Sequence, residues 1–192
     1  MDPDLDRDLD PNLEQHQQDR PPSPIAQSTW ETWFQTWLEQ LQAELPPYSG
    51  YELSLRLTDD ADIRSLNGQY RQKDQPTDVL AFAALEVDYP QSYSPLSDVS
   101  PDPLYLGDIV ISVETAQRQA SQLGHSLQHE LAWLAAHALL HLLGWDHPDE
   151  LGLARMLEQQ ENLLKTVGLT VHADSIQQLL QLEYRNNPPE EV

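Results

Sequence analysis

Large apolar residues recur three or four positions apart in STWETWFQTWLEQLQAEL, residues 28–45, which predicts an amphipathic helix capped by Ser28 or Thr29. Helical apolar spacing usually means packing, so this stripe is predicted to lie in the core rather than to bind a partner. The members of the stripe are Trp30, Trp33, Phe34, Trp37, Leu38 and Leu41. Strict alternation in YELSLRL, residues 51–57, instead predicts a half-buried strand.

Other stretches predict an alternation of strands and helices after residue 57. More buried strands are predicted at TDVLAFAAL, residues 77–85, and YLGDIVISV, residues 105–113. Helices are predicted at 59–72, 114–123, 127–143, 150–167 and 174–184, with Gly124, Gly144 and Gly168 placed directly after three of them. The pattern is not a regular strand–helix repeat, so we expect an α+β (α/β-like) domain. It would have a small mixed sheet of three to four strands surrounded by about five helices.

The ends of the 192-residue chain differ in composition from its middle. Residues 1–27 are rich in Asp, Pro and Gln, which predicts a disordered acidic tail, and residues 185–192 are expected to form a second tail. A single domain is therefore expected over residues 28–184, interrupted by a Pro- and Ser-rich loop at 86–104. The start of the chain has no signal-peptide pattern, and the run 131–145 is too short to cross a bilayer. We expect a cytoplasmic protein without a membrane partner.

The formal net charge is −22, from 10 basic and 32 acidic residues, which argues against a nucleic-acid partner if the charge is taken as a whole. Four of the ten cations nevertheless fall in one stretch, namely Arg56, Arg64, Arg71 and Lys73. They predict either a local basic patch or no more than the neutralisation of nearby aspartates. The chain has no cysteine, so any metal must be held by His, Asp or Glu.

The segment HALLHLLGWDH, residues 137–147, places histidines inside an apolar helix. A buried imidazole without partners costs about 1–3 kcal/mol, so two of them need a common explanation. His137 and His141 are one turn apart on the same helical face, and Gly144 allows a sharp turn that brings His147 back towards them. Three imidazoles suit one zinc ion or another borderline divalent metal, and they leave one position open for water, as in catalytic sites. The alternative is a set of core or capping histidines.

The ligand spacing matches that of zincin metalloproteases, but Ala138 occupies the position of their glutamate base. A phosphodiester fits the remaining equipment better, because an anionic oxygen can ligate the metal while a cation balances the developing charge. Arg71 and Lys73 are the best candidates for that cation, although a surface salt bridge is the simpler interpretation of Arg71.

Three blocks together resemble the YbeY family of bacterial metal-dependent endoribonucleases and rRNA maturation factors. They are LNGQYRQKDQPTDVLAF (66–82), LGDIVIS (106–112) and GHSLQHELAWLAAHALLHLLGWDH (124–147), and the match extends over roughly residues 50–167. The resemblance implies a small mixed sheet with surrounding helices. It also implies a zinc ion on His137, His141 and His147, with Arg71 contacting an RNA phosphate.

The function implied by this resemblance is single-strand-specific endoribonuclease activity in 16S rRNA 3′-end maturation, ribosome biogenesis and ribosome quality control. The expected partners are single-stranded RNA, the small ribosomal subunit and assembly factors, and no DNA. Two alternatives remain open, a metalloprotease and a non-catalytic assembly factor stabilised by zinc. His125 and His129 are interpreted as surface or packing residues, and nothing local singles out Glu130 as a base. Asp146 either orients a ligand or shapes the turn.

Overall fold

The computed structural model describes residues 23–45, 47–84 and 102–170. Its elements are α1 (Gln27–Gln40), a 3-10 turn (Gln42–Glu44), β1 (Tyr51–Thr58), α2 (Asp60–Arg71), β2 (Val79–Ala83), β3 (Leu104–Ser112), α3 (Val113–Leu123), α4 (Leu127–Leu142) and α5 (Glu150–Thr166). Within the described ranges, five helices and three strands lie where the sequence predicts them. The helix predicted at 174–184 and most of the loop predicted at 86–104 lie outside those ranges.

The three strands form one mixed sheet in the order β1-β3-β2, which confirms the predicted α+β class. β1 pairs with β3 in parallel, and β2 pairs with β3 in antiparallel orientation. Leu53, Leu55 and Leu57 on β1 pack against the main core, whereas the intervening Ser54 and Arg56 are exposed on the opposite face. We call these the inner and outer faces of the sheet.

Helix α1 covers part of the main core, as its stripe of aromatic residues predicts. Trp37 is fully buried, and its Nε1 donates a hydrogen bond to the Leu163 carbonyl oxygen at 2.9 Å. The predicted cap at Ser28 or Thr29 is wrong, because the helix begins one residue earlier, after Ala26, without a side-chain cap. Ile25, which the sequence assigns to the acidic tail, is 3% exposed and belongs to the core, whereas the domain limits as a whole stay a prediction.

Helix α4 is the most buried helix of the described chain and packs on the inner face of the sheet. Ser126 caps its start by accepting a hydrogen bond from the His129 amide at 3.2 Å. Its last turn lies against β3, where Gly107 has φ 136° and a Cβ would lie 3.1 Å from the Leu142 side chain. A Cβ at Gly107 would clash first with the Phe82 carbonyl oxygen, so the glycine chiefly permits the pairing of β2 with β3 and also leaves room for the end of α4.

Helix α2 covers part of the outer face through a second, smaller cluster of Ile63, Leu80 and Val110. The Asp59 side chain caps the helix by accepting from the Asp62 amide at 2.8 Å. In the part of the chain that the structure describes, no helix combines the length and apolarity needed to span a membrane.

Candidate metal centre

The structure brings together the three histidines that the sequence singles out. The His137 and His141 rings lie 4.6 Å apart between centroids, and their Nε2 atoms are 3.1 Å apart. The His147 ring lies 5.8 Å from that of His137 and 5.3 Å from that of His141. One nitrogen from each ring lies within 4.8 Å of the other two, which is a group able to hold a metal ion.

The turn after α4 carries His147 back to the helical pair, because Gly144 adopts φ 84°. The turn is held by backbone hydrogen bonds from Gly144 to His141 and from Trp145 to Leu140, each at 3.0 Å. Asp146 Oδ1 accepts from the His147 amide at 2.8 Å. This contact shapes the turn, and the Asp146 charge also acts on His141, so the choice between the two roles weighed for Asp146 stays a prediction.

Gln160 on α5 orients His137, and sequence reasoning missed it. Its Nε2 donates to the Trp133 carbonyl at 2.9 Å, which leaves Oε1 facing His137 Nδ1 at 3.3 Å. The Nδ1 atom is therefore the donor, and the Nε2 lone pair is directed at the cluster. Gln160 is fully buried on the apolar stripe of α5. A polar residue on such a stripe is the signal that would have identified it.

Burial favours the neutral form of the two helical histidines of the cluster, His137 and His141. Burial lowers the pKa of His137 to about 4, and it also lowers the pKa of His141 to about 4. Neutral imidazoles have free lone pairs, as metal ligation requires. Tetrahedral zinc with Zn–N bonds of about 2.05 Å places ligand nitrogens roughly 3.3 Å apart. The 3.1 Å separation of the two Nε2 atoms fits such an ion.

Arg71 lies at the end of α2, and after burial its positive charge is a smaller cause of the lowered pKa of His137, which the nearby negative charge of Asp78 opposes. The Arg71 side chain is therefore within electrostatic range of the histidine cluster. Arg56 is paired with Asp62 at 2.6 Å, and Arg64 with Asp74 at 2.7 Å. Among described residues, Arg71 and the following Lys73 have no ion pair. Ion pairs with aspartates thus neutralise Arg56 and Arg64. Among the described residues, Arg71 and Lys73 have no such pair and can bind an anion.

Asn67 holds the loop that follows Arg71. Its side-chain Nδ2 donates a hydrogen bond to the Gln75 carbonyl oxygen at 2.8 Å. Its backbone carbonyl oxygen accepts a hydrogen bond from the Lys73 amide at 3.2 Å. Gln72, between Arg71 and Lys73, adopts the left-handed conformation, with φ 59°. Asn67 is 2% exposed, so its hydrogen bonds to the loop lie within the packed structure. The two hydrogen bonds of Asn67 fix the position of the loop that carries Lys73 relative to the end of α2.

A second group of titratable residues lies at the other end of α4. The Glu130 carboxylate is 1% exposed and is hydrogen-bonded to His125 Nε2, and burial raises the pKa of Glu130. The His125 ring stacks on His129 with centroids 4.7 Å apart. His125 is thus a packing residue, as interpreted, whereas the burial of Glu130 is not evident from its local sequence.

The fold and the cluster define an α+β protein with a three-histidine site for a divalent metal. The family model described as Endoribonuclease YbeY matches residues 13–168. The chain belongs to the YbeY family.

Two curated relatives support this assignment, and both are named Endoribonuclease YbeY. The protein from Nostoc sp. is 57% identical over 152 residues, which cover 79% of this chain and 80% of that protein. The protein from Cyanothece sp. is 62% identical over 146 residues, covering 76% of this chain and 84% of that protein. The solution structure of TM1509 from Thermotoga maritima aligns with a TM-score of 0.48 and 22% identity, covering 86% of this chain and 89% of that one. The assignment rests on the sequence matches alone.

Proposed function

We propose that this chain is a single-strand-specific, zinc-dependent endoribonuclease acting in 16S rRNA 3′-end maturation, ribosome biogenesis and ribosome quality control. Its family supplies the class of enzyme, a hydrolytic nuclease acting on RNA. The observation that carries the proposal is the convergence of His137, His141 and His147. Arg71, which has no ion pair with another described residue, lies within electrostatic range of that cluster. A metal ligand set and a cation that balances developing charge are two components of metal-assisted phosphodiester cleavage.

The three histidines would hold the zinc ion through neutral nitrogens, and Gln160 fixes the orientation of His137. When bound, zinc lowers the pKa of a ligated water to about 7 and polarises a substrate oxygen. Arg71 grips phosphate oxygens with its planar guanidinium and stabilises the charge that develops on them in the transition state. Lys73 adds a second positive charge in the loop that follows α2.

A peptidase is the weaker alternative. Ala138 follows the first ligand, where zincin peptidases have their glutamate base, and its methyl group is fully buried. No carboxylate can therefore reach the water from that position.

The biological setting of the proposal is the cytoplasm, where precursors of the small ribosomal subunit and their assembly factors would be the partners. The chain carries a net charge of −22, which repels nucleic acid in general. Access of RNA therefore depends on the local charge of Arg71 and Lys73. The proposed catalytic domain extends over residues 28–184, between the two predicted tails.

The test is cleavage of a single-stranded RNA that ends in the 16S rRNA 3′ sequence, with metal content measured on every sample. Wild type should cut the RNA and leave DNA of the same sequence intact. Arg71→Ala should keep its zinc and cut about 10²- to 10³-fold more slowly, because a stabiliser of transition-state charge is lost. Arg155→Ala, which removes an exposed arginine of α5, is the matched control and should cut like wild type.

Each alternative predicts a different result in this assay. Zinc-loaded wild type that binds RNA without cutting it would favour an assembly factor. Casein cleavage abolished by a chelator would favour a peptidase. Equal RNA cleavage by wild type, Arg71→Ala and His141→Ala would identify a contaminating nuclease and overturn the assignment of activity to this site.

A further inference from the structure

An open pocket of about 440 Å³ lies on the outer face of the sheet, beside the part that α2 covers. Its floor includes Val110 of β3, and Tyr70 and Phe82 form aromatic walls. Phe82 of β2 is paired across the sheet with Asp108 of β3, so both side chains lie on this face. The pocket volume lies in the range of small-molecule sites and exceeds what one planar base occupies.

The Tyr70 ring is held in place and is still accessible to solvent. It meets Phe82 edge to face, with centroids 4.9 Å apart and an interplanar angle of 67°. Tyr70 is 60% exposed, which makes it one of three large apolar side chains exposed in the described chain. A ring that is fixed on one side and open on the other is a stacking platform that loses little conformational entropy on binding.

Polar groups around the pocket can bind the edge of a flat heterocycle. The Arg56 guanidinium is held by Asp62 at 2.6 Å, and Asp108 Oδ1 accepts from the Tyr105 hydroxyl at 2.8 Å. Ser54 adds a hydroxyl that both donates and accepts. Donors and acceptors beside an aromatic wall are the equipment that proteins use for unstacked bases of single-stranded RNA.

We propose that this pocket is a subsite for an unpaired nucleobase of the RNA substrate, which stacks on Tyr70 while Arg71 holds an adjoining phosphate. Adjacent helical residues point about 100° apart, so the end of α2 presents the ring to the outer face and the guanidinium to another side. A strand passing the end of α2 meets both groups. This inference rests on the proposed function and supplies a cause for single-strand preference, because bases in a duplex are already stacked and paired.

The test measures binding and cleavage separately in the full-length, metal-loaded protein. The binding probe is a single-stranded RNA decamer with one 2-aminopurine, whose fluorescence is quenched by stacking, and its integrity is checked on a gel after each titration. Tyr70→Ala should weaken binding about tenfold and remove the quenching, since base–aromatic stacking has an effect of this size. Tyr70→Phe keeps the ring and should restore both. In cleavage assays, Tyr70→Ala should raise KM more than it lowers kcat.

Leu151→Ala is the matched control, because Leu151 is 66% exposed on α5 and does not line the pocket. The same decamer annealed into a duplex should bind wild type and Tyr70→Ala equally weakly. Single-strand binding by Tyr70→Ala at wild-type affinity overturns the proposal, as does an equal loss in Leu151→Ala or in Tyr70→Phe. If wild type binds and quenches the probe but cuts no RNA, the subsite stands and the nuclease proposal fails.

Discussion

Two pairs of histidines four residues apart lie at opposite ends of helix α4, and only one pair belongs to a candidate metal site. His125 and His129 stack nearly parallel, at 20°, and His125 is bound to the buried Glu130. His137 and His141 meet at 78°, with their Nε2 atoms 3.1 Å apart. Helical spacing alone therefore does not make a ligand pair, because the direction of the lone pairs decides whether two imidazoles converge.

The environments of the two pairs explain the difference. The first pair has a carboxylate neighbour, Glu130, which is hydrogen-bonded to Nε2 of His125. The second pair has an amide neighbour on Nδ1 of His137, and the turn at Gly144 supplies a third imidazole. A metal site thus needs a hydrogen bond to the ring nitrogen that does not bind the metal. It also needs a third ligand from outside the helix.

The largest expected effect is that of removing one histidine from each pair. His141→Ala should lose bound metal and RNA cleavage together, because two remaining imidazoles hold a divalent ion poorly. His129→Ala should keep full metal content and wild-type cleavage. Metal content by elemental analysis and cleavage of the single-stranded RNA are the two measurements. Metal loss in His129→Ala would place a ligand in the first pair and contradict the comparison.

The sequence predicts the second pair well because its information is local. His137, His141 and Gly144 lie within one helix and its turn, so helical geometry alone brings the third histidine close. The helices that pack against α4 are also specified by local patterns. The spacing of apolar residues and the positions of glycines predict all five described helices. The start of α1 was misplaced because Ser28 and Thr29 are favourable caps, yet the helix continues back to Gln27 without using them.

Contacts between distant parts of the chain were beyond sequence reasoning. The strand order β1-β3-β2 depends on a parallel pairing of residues that lie 53 to 54 positions apart, such as Tyr51 with Leu104, which no local pattern specifies. Gln160 reaches His137 from another helix, 23 residues away. The nearness of Arg71 to the cluster was implied by a family resemblance and not by spacing, since α2 and α4 pack on opposite faces of the sheet.

The hydrogen bond between Gln160 and Nδ1 of His137 can be removed without changing any of the three candidate metal ligands. Gln160→Leu should lower metal affinity by about 10- to 100-fold, the usual cost of losing such a partner, because the ring is then free to rotate and change tautomer. Gln159→Leu alters the neighbouring, partly exposed position and serves as the control. Competition against a chromophoric chelator measures both affinities. Equal affinity in wild type and Gln160→Leu would mean that packing alone orients His137.

The smallest expected effect is a difference in pH dependence between the two ends of α4 in the metal-free protein. The pKa values of His137 and His141 are lowered to about 4 from 6.5, so the unfolded chain binds protons that the folded chain excludes. Their contribution to stability is complete above pH 6.5 and is lost as pH falls towards 4. Burial raises the pKa of Glu130 above 4.5, so its contribution has the opposite sign and is lost as pH rises.

Replacing Glu130 with glutamine separates these two opposing slopes. Glu130→Gln removes the carboxyl titration and leaves the histidines, so its free energy of unfolding should rise more steeply with pH than that of wild type between pH 4.5 and 6.5. Urea denaturation across that range, with chelator present, measures both slopes. A shallower rise in Glu130→Gln would mean that His125 stabilises the charged carboxylate more than burial disfavours it. His125 and Glu130 would then form an ion pair in the folded state, and the two histidine pairs would differ in charge as well as in geometry.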